Sequence, residues 1–246
     1  MIFDFRVFLG QSFDGTQQTT AALLSGMDDL KIEKALVCPF KPISYDLNEA
    51  NTWLATQITQ APDRLVGAAR IDPWHPGAIA HLRRAFETLR FRACYLDPWE
   101  ESFRIDKDRL SPLMEVLQTY RAPLLVAAGF PWVSEALQVQ KLAARWPEVS
   151  IVMSNGGQIN ISGLGQADVT LAMAVSPNLY IDTAGVYRQD FIEETVQTFG
   201  AYRVLFGSGA PIFDQRYEIM RIRLAKVSDA ERTALQTENA RRLIEE

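Results

Sequence analysis

Pro62-Asp63-Arg64-Leu65-Val66-Gly67 holds the reading that decides the fold. A proline ends a helical pattern and sets an extended entry, and a short apolar run follows at once. The same join recurs at Trp146-Pro147-Glu148, just before another apolar run. Outward from these two joins, short runs rich in Val, Ile, Leu and Phe alternate with longer amphipathic segments, the pattern of repeated strand-helix units. Eight strands are expected, near residues 2–8, 34–38, 65–71, 92–96, 123–128, 149–154, 178–182 and 203–207. Thr19 to Leu30 sets Leu23, Leu24, Met27 and Leu30 at helical spacing, and Ser111–Tyr120 and Glu135–Ala144 do likewise. From Ser228, Ser-Asp-Ala-Glu reads as a capping box, and a helix through Leu235, Ala240 and Leu243 is expected to close the structure.

Eight such units fit the 246 residues as one α/β domain over 1–246, a single (β/α)8 TIM barrel. The 48% hydrophobic and 22% charged residues are those of an ordinary globular protein. A net charge of -5 argues against a nucleic-acid surface, which needs a dense field of Lys and Arg. The basic group Arg216, Arg221, Arg223 and Lys226 reads instead as a solvated helix face. Met1-Ile2-Phe3-Asp4-Phe5-Arg6 lacks the pattern of a secretory leader, and the apolar stretch Ala122 to Val133 is too short to span a bilayer. Cys38 and Cys94 stand apart with no metal-ligand spacing, so buried reduced thiols and a cytoplasmic location are expected, with no membrane partner.

Further landmarks follow in order along nearly the whole chain: Met27-Asp28-Asp29-Leu30-Lys31-Ile32-Glu33-Lys34-Ala35, then Val204-Leu205-Phe206-Gly207-Ser208, then Glu238-Asn239-Ala240-Arg241-Arg242-Leu243. Together with residues 62–67 they resemble the amidohydrolase-related family of metal-dependent barrel hydrolases and decarboxylases. The resemblance implies Asp-x-His-x-His at the end of the first strand, where two imidazoles hold a metal. This chain reads Asp4-Phe5-Arg6-Val7-Phe8. The family's fifth-strand histidine falls at Ala127-Ala128-Gly129, its His-x-Gly at Asn155-Gly156-Gly157, and its Gly-Ser-Asp at Gly207-Ser208-Gly209. A lysine common at the fourth strand aligns with Tyr95. The two histidines, His75 and His81, fall at a loop and a helix. The resemblance thus implies a divergent member without a zinc site, and neither metal nor other cofactor is expected. A site of oxygen ligands from Asp4, Asp97, Asp182 and Asp214 is the alternative.

Alternation along the first strand is expected to turn Asp4, Arg6 and Phe8 inward and to leave Phe3, Phe5, Val7 and Leu9 as an unbroken face against the helices. An inward guanidinium needs a partner: Asp4, Asp97, Asp182 or a ligand anion. Arg6, Tyr95, Asn155 and Ser208 are therefore the candidate ligand-binding residues, and Asp97 and Asp182 the candidate catalytic pair for acid-base chemistry. Cys94, next to inward Tyr95, is expected to face the helices as an inert thiol. No G-x-S-x-G, P-loop or dinucleotide fingerprint occurs. Three functions remain: a catalytically degenerate barrel that binds a small anionic molecule such as a carboxylate or serves as a noncatalytic subunit, in a homo-oligomer or beside a paralogue; a metal-independent, lactonase-like hydrolase; and a structural protein that works through its outer helices, which a barrel mouth plugged with packed side chains would favour.

Overall fold

Short extended runs joined by helices arrange themselves in a computed structural model that describes residues 1–159 and 163–245. The strands are β1 (Phe3–Gln11), β2 (Gln17–Gln18), β3 (Lys34–Pro39), β4 (Leu65–Arg70), β5 (Ala93–Leu96), β6 (Leu124–Val126), β7 (Ile151–Met153), β8 (Leu179–Asp182) and β9 (Val204–Leu205). Between them lie α1 (Thr20–Leu30), α2 (Leu47–Ile58), α3 (Ala78–Glu87), α4 (Ser111–Tyr120), α5 (Ala136–Arg145), α6 (Gly163–Val175) and α7 (Gln189–Phe199). After β9 come α8 (Gln215–Leu224), α9 (Asp229–Thr233), a π-helical stretch Ala234–Glu238 and α10 (Asn239–Glu245). All eight expected strands are present, and β2 is an addition that pairs antiparallel with the end of β1.

From β1 through β3 to β9 every neighbouring pair is parallel. The sheet curls until the chain beyond β9 meets β1: the Phe5 amide donates to Phe206 O and the Gly209 amide to Arg6 O, both at 2.8 Å. That ladder closes a (β/α)8 barrel. Alternate side chains divide between two cores. Leu36, Ala68, Leu125, Val152 and Leu205 fill the interior, while Val37, Ala69, Leu124 and Ile181 join the layer under the helices. Cys94 lies in that outer layer, as its alternation with Tyr95 implies, and both thiols are buried and free.

The alternation expected of β1 is broken. Its pairing with β3 slips between Asp4 and Val7, and an extra residue in one strand moves the following side chains to the opposite face. Phe3 and Phe5 therefore point into the barrel with Phe8, while Val7 and Leu9 pack outward. The four do not form one face. Asp4 consequently lies on the outer side, toward α8, where Gln215 reaches it.

Helix ends follow the expected signals. Thr19 caps α1 through its hydroxyl, and Ser228 with Glu231 forms the capping box that opens α9. Ala240 and Ile244 of α10 enter the interior core, so the tail covers one end of the barrel as expected. No helix among the described residues is long and apolar enough to cross a membrane.

Candidate functional site

The β1 slip delivers Arg6 to the interior, where it is buried. Its guanidinium meets Asp182, the last residue of β8: Nε donates to Oδ2 at 2.6 Å and Nη2 to Oδ1 at 3.2 Å. Nη2 also donates to Asn155 Oδ1. Asn155 follows β7 in the left-handed region, φ 55° and ψ 34°, a conformation that asparagine tolerates better than most residues. Its amide donates to Asp182 Oδ1 at 2.9 Å, and the Ala184 amide donates to the same oxygen at 3.1 Å. Four donor groups thus surround a carboxylate with no solvent exposure. Burial alone would lower the Arg6 pKa, but the charge and hydrogen bonds of Asp182 outweigh it and hold the guanidinium above its ordinary value.

A second buried arginine lies beside this pair. Arg70 ends β4, and Asn51 of α2 holds its backbone at both N and O. Its Nη2 donates to Glu101 Oε1 at 2.8 Å and to Glu100 Oε2, and stands 3.8 Å from Asp97 Oδ2. Tyr95 links the two arginines: its ring meets Phe8 edge-on at 5.4 Å, and its hydroxyl donates to Asp97 Oδ2 at 3.0 Å. Lys41 approaches Glu101 at 3.9 Å. Burial pushes the Glu101 carboxyl up to about 7, against the lowering effect of Arg70. Arg70 and Glu101 are absent from the sequence-based candidates. The signal was available, since Arg70 shares the inward alternation of Val66 and Ala68, as Arg6 was expected to share that of its own strand.

The candidate residues therefore separate into three places. Arg6, Asn155 and Asp182 form one cluster; Tyr95 and Asp97 belong to the Arg70 cluster. Ser208 lies apart from both: its amide donates to Asp4 Oδ1 at 2.7 Å and its hydroxyl accepts from the Ala210 amide. Asp4 is pushed up to about 6 by burial, opposed by the hydrogen bonds of Ser208 and Gln215. Asp214 caps α8. His75 Nδ1 accepts from the Gly77 amide at 3.0 Å, and its ring lies 4.8 Å from that of His81. Among the described residues no three His, Cys, Asp or Glu side chains are grouped so that they could hold a metal ion. Cavities of 590, 250, 410 and 300 Å³ are open on the protein, and none is lined by Arg6, Tyr95, Asn155, Asp182 or Ser208.

Solved structures share this barrel. A 2,6-dihydroxybenzoate decarboxylase complexed with 2,6-dihydroxybenzoate superposes with a TM-score of 0.81 at 16% identity, over 100% of each chain. A dihydroxybenzoic acid decarboxylase from Polaromonas sp. JS666, with bound manganese and the inhibitor 2-nitroresorcinol, gives 0.78 at 16% over 98% of this chain and 96% of its own. A 4-oxalomesaconate hydratase from Rhodopseudomonas palustris gives 0.75 at 17% over 100% and 96%. At such identities the likeness is one of fold. No curated protein matches the sequence. The family model described as amidohydrolase matches residues 42–245, from the loop after β3 to the last turn of α10. With that match over the barrel just described, the chain belongs to the amidohydrolase family.

Proposed function

We propose that this protein is a catalytically degenerate amidohydrolase-like barrel, in which an internal ion pair occupies the position of the metal, and that it works as a noncatalytic subunit. The observation that carries this reading is Asp182. Its oxygens are taken by the Arg6 guanidinium and by the Asn155 and Ala184 amides, so they are committed to protein donors. A divalent cation does not fit this donor set, because a guanidinium already supplies the positive charge and the other near side chain is a neutral amide. A ligand carboxylate at Arg6 would find the Nε–Nη2 edge already taken by Asp182 and Asn155, with Ser208 apart and Tyr95 turned to Asp97, which disfavours the anion-binding form of the same reading. The loops after the strands favour a protein partner: Phe13, Tyr45, Trp74, Trp99, Trp132 and Tyr187 are all exposed there.

One observation favours a metal-independent, lactonase-like hydrolase, namely the Glu101 carboxyl near pH 7 beside Asp97. Two measurements separate the readings. Wild-type protein, assayed with small lactones and aromatic carboxylates with and without added manganese, is expected to show no turnover. A rate that disappears in Asp97→Asn or Glu101→Gln would establish the hydrolase instead. In the second, Arg6→Met and Asp182→Leu should each cost about 3–5 kcal/mol by leaving a buried charge alone, and the double variant should recover most of that loss. Additive losses in urea unfolding would show that Arg6 and Asp182 do not neutralise each other, and the ion pair would not fill the site.

A further inference from the structure

A cavity of 590 Å³ lies outside both arginine clusters, between the β1–β2 hairpin, the end of β3 and α2. Its inner wall is apolar: Leu9, Pro39, Phe40 and Ala50 line it, all but Pro39 among the buried hydrophobics of the core. The Trp53 ring forms one side, held against β1 at Gly10. There φ is +96° and an added Cβ would meet Trp53 Cζ3 at 3.2 Å, so the close approach of ring and strand depends on glycine. Amides form the rim. Gln11 and Gln17 face each other in the β1–β2 register, and Gln18 donates to Phe8 O at 2.9 Å, which fixes the hairpin. Gln57 accepts from Thr20 at 2.9 Å on the opposite side.

The charge pattern selects the ligand. Neither lysine nor arginine lines the cavity, and the one charged side chain that does is Glu49. Lys41, between the lining residues Phe40 and Pro42, turns its Nζ away to Glu100 O and Glu101. An anion would find no counter-charge and would lose its hydration on entry. A flat ring can lie against Trp53, and a neutral group that both donates and accepts matches the glutamine rim. Volume and lining are those of a small-molecule site. We infer that this cavity is a ligand site independent of the two arginine clusters, and that it takes an uncharged planar aromatic molecule bearing a carboxamide-like edge.

The matched pair 2-naphthamide and 2-naphthoate tests the inference, since the two share shape and differ in charge. Calorimetry on the full chain should give saturable binding of 2-naphthamide, with 2-naphthoate weaker by at least about tenfold. Ala50→Phe, which fills the apolar wall, should weaken the amide by at least about tenfold while circular dichroism stays that of the wild type. If that variant does not fold, Trp53→Ala on the exposed side of α2 should give the same loss. Gln17→Leu should weaken the amide and narrow the preference over the carboxylate. Equal or tighter binding of 2-naphthoate, binding unaffected by the folded cavity variant, or no saturable binding up to the solubility limit would each overturn the site.

Discussion

Asp4 shows how one side chain can oppose the fold at neutral pH. It is fully buried on the outer side of β1 and receives the Ser208 amide and Gln215, with no cation bonded to it among the described residues. Burial therefore raises its pKa from 3.8 to about 6. Between those values the folded state holds the proton more strongly than the unfolded state, so the contribution is fully present below the unfolded pKa and is lost as pH rises through the folded one. The loss is about 3 kcal/mol, two pKa units of about 1.4 kcal/mol each. Asp4→Asn keeps an acceptor for Ser208 and cannot ionise. Urea unfolding at pH 3, 4, 5, 6 and 7 should show the variant gaining on the wild type by about 3 kcal/mol across the series. Parallel stability curves would mean that Asp4 titrates normally.

At the scale of the element, β4 depends on a missing side chain. Gly67 faces outward with Leu65 and Ala69, and Phe91 fills the space in front of it: an added Cβ would stand 2.2 Å from Phe91 Cδ1. The ring is itself buried. Gly67→Ala should cost about 1–3 kcal/mol by forcing that ring or the strand to shift. The conflict is local. In the double variant with Phe91→Leu the losses should fall short of their sum by at least about 0.5 kcal/mol, the coupling of residues in contact. Strict additivity in denaturant unfolding would place the strain elsewhere. In β1 the corresponding device is the slip between Asp4 and Val7, which lets one strand send Phe5 to the interior and Val7 to the helices.

For the whole molecule, closure depends on the tail as well as on the sheet. Phe206 donates to Leu235 O, Thr237 to Met1 O, and Asn239 to both Ala201 O and Val204 O. These bonds hold the tail to β9 and its flanks and to Met1, just ahead of β1, beside the two strands that must meet. Ala240 is fully buried against the interior core. Ala240→Asp should therefore cost about 3–5 kcal/mol as an uncompensated buried charge. Thermal and urea unfolding would measure it, and a wild-type midpoint would show that the tail only rests on the barrel.

The sequence by itself determined the eight strands, their alternation with helices and the capped closing helix, because periodicity, proline stops and caps act between residues close in the chain. It also supplies three carboxylates, Asp4, Asp97 and Asp182, that could partner Arg6. Only the tertiary structure brought Arg6 inward to Asp182, 176 positions away, while Asp4 stayed outward, because that outcome depends on a register slip that no period-two pattern records. The same holds for Arg70 with Glu101 and for the cavity beside Trp53. Each is made by elements that meet only when strands pair and helices pack on them, and the desolvation that raises Glu101 and Asp4 exists only once those surfaces have closed over them.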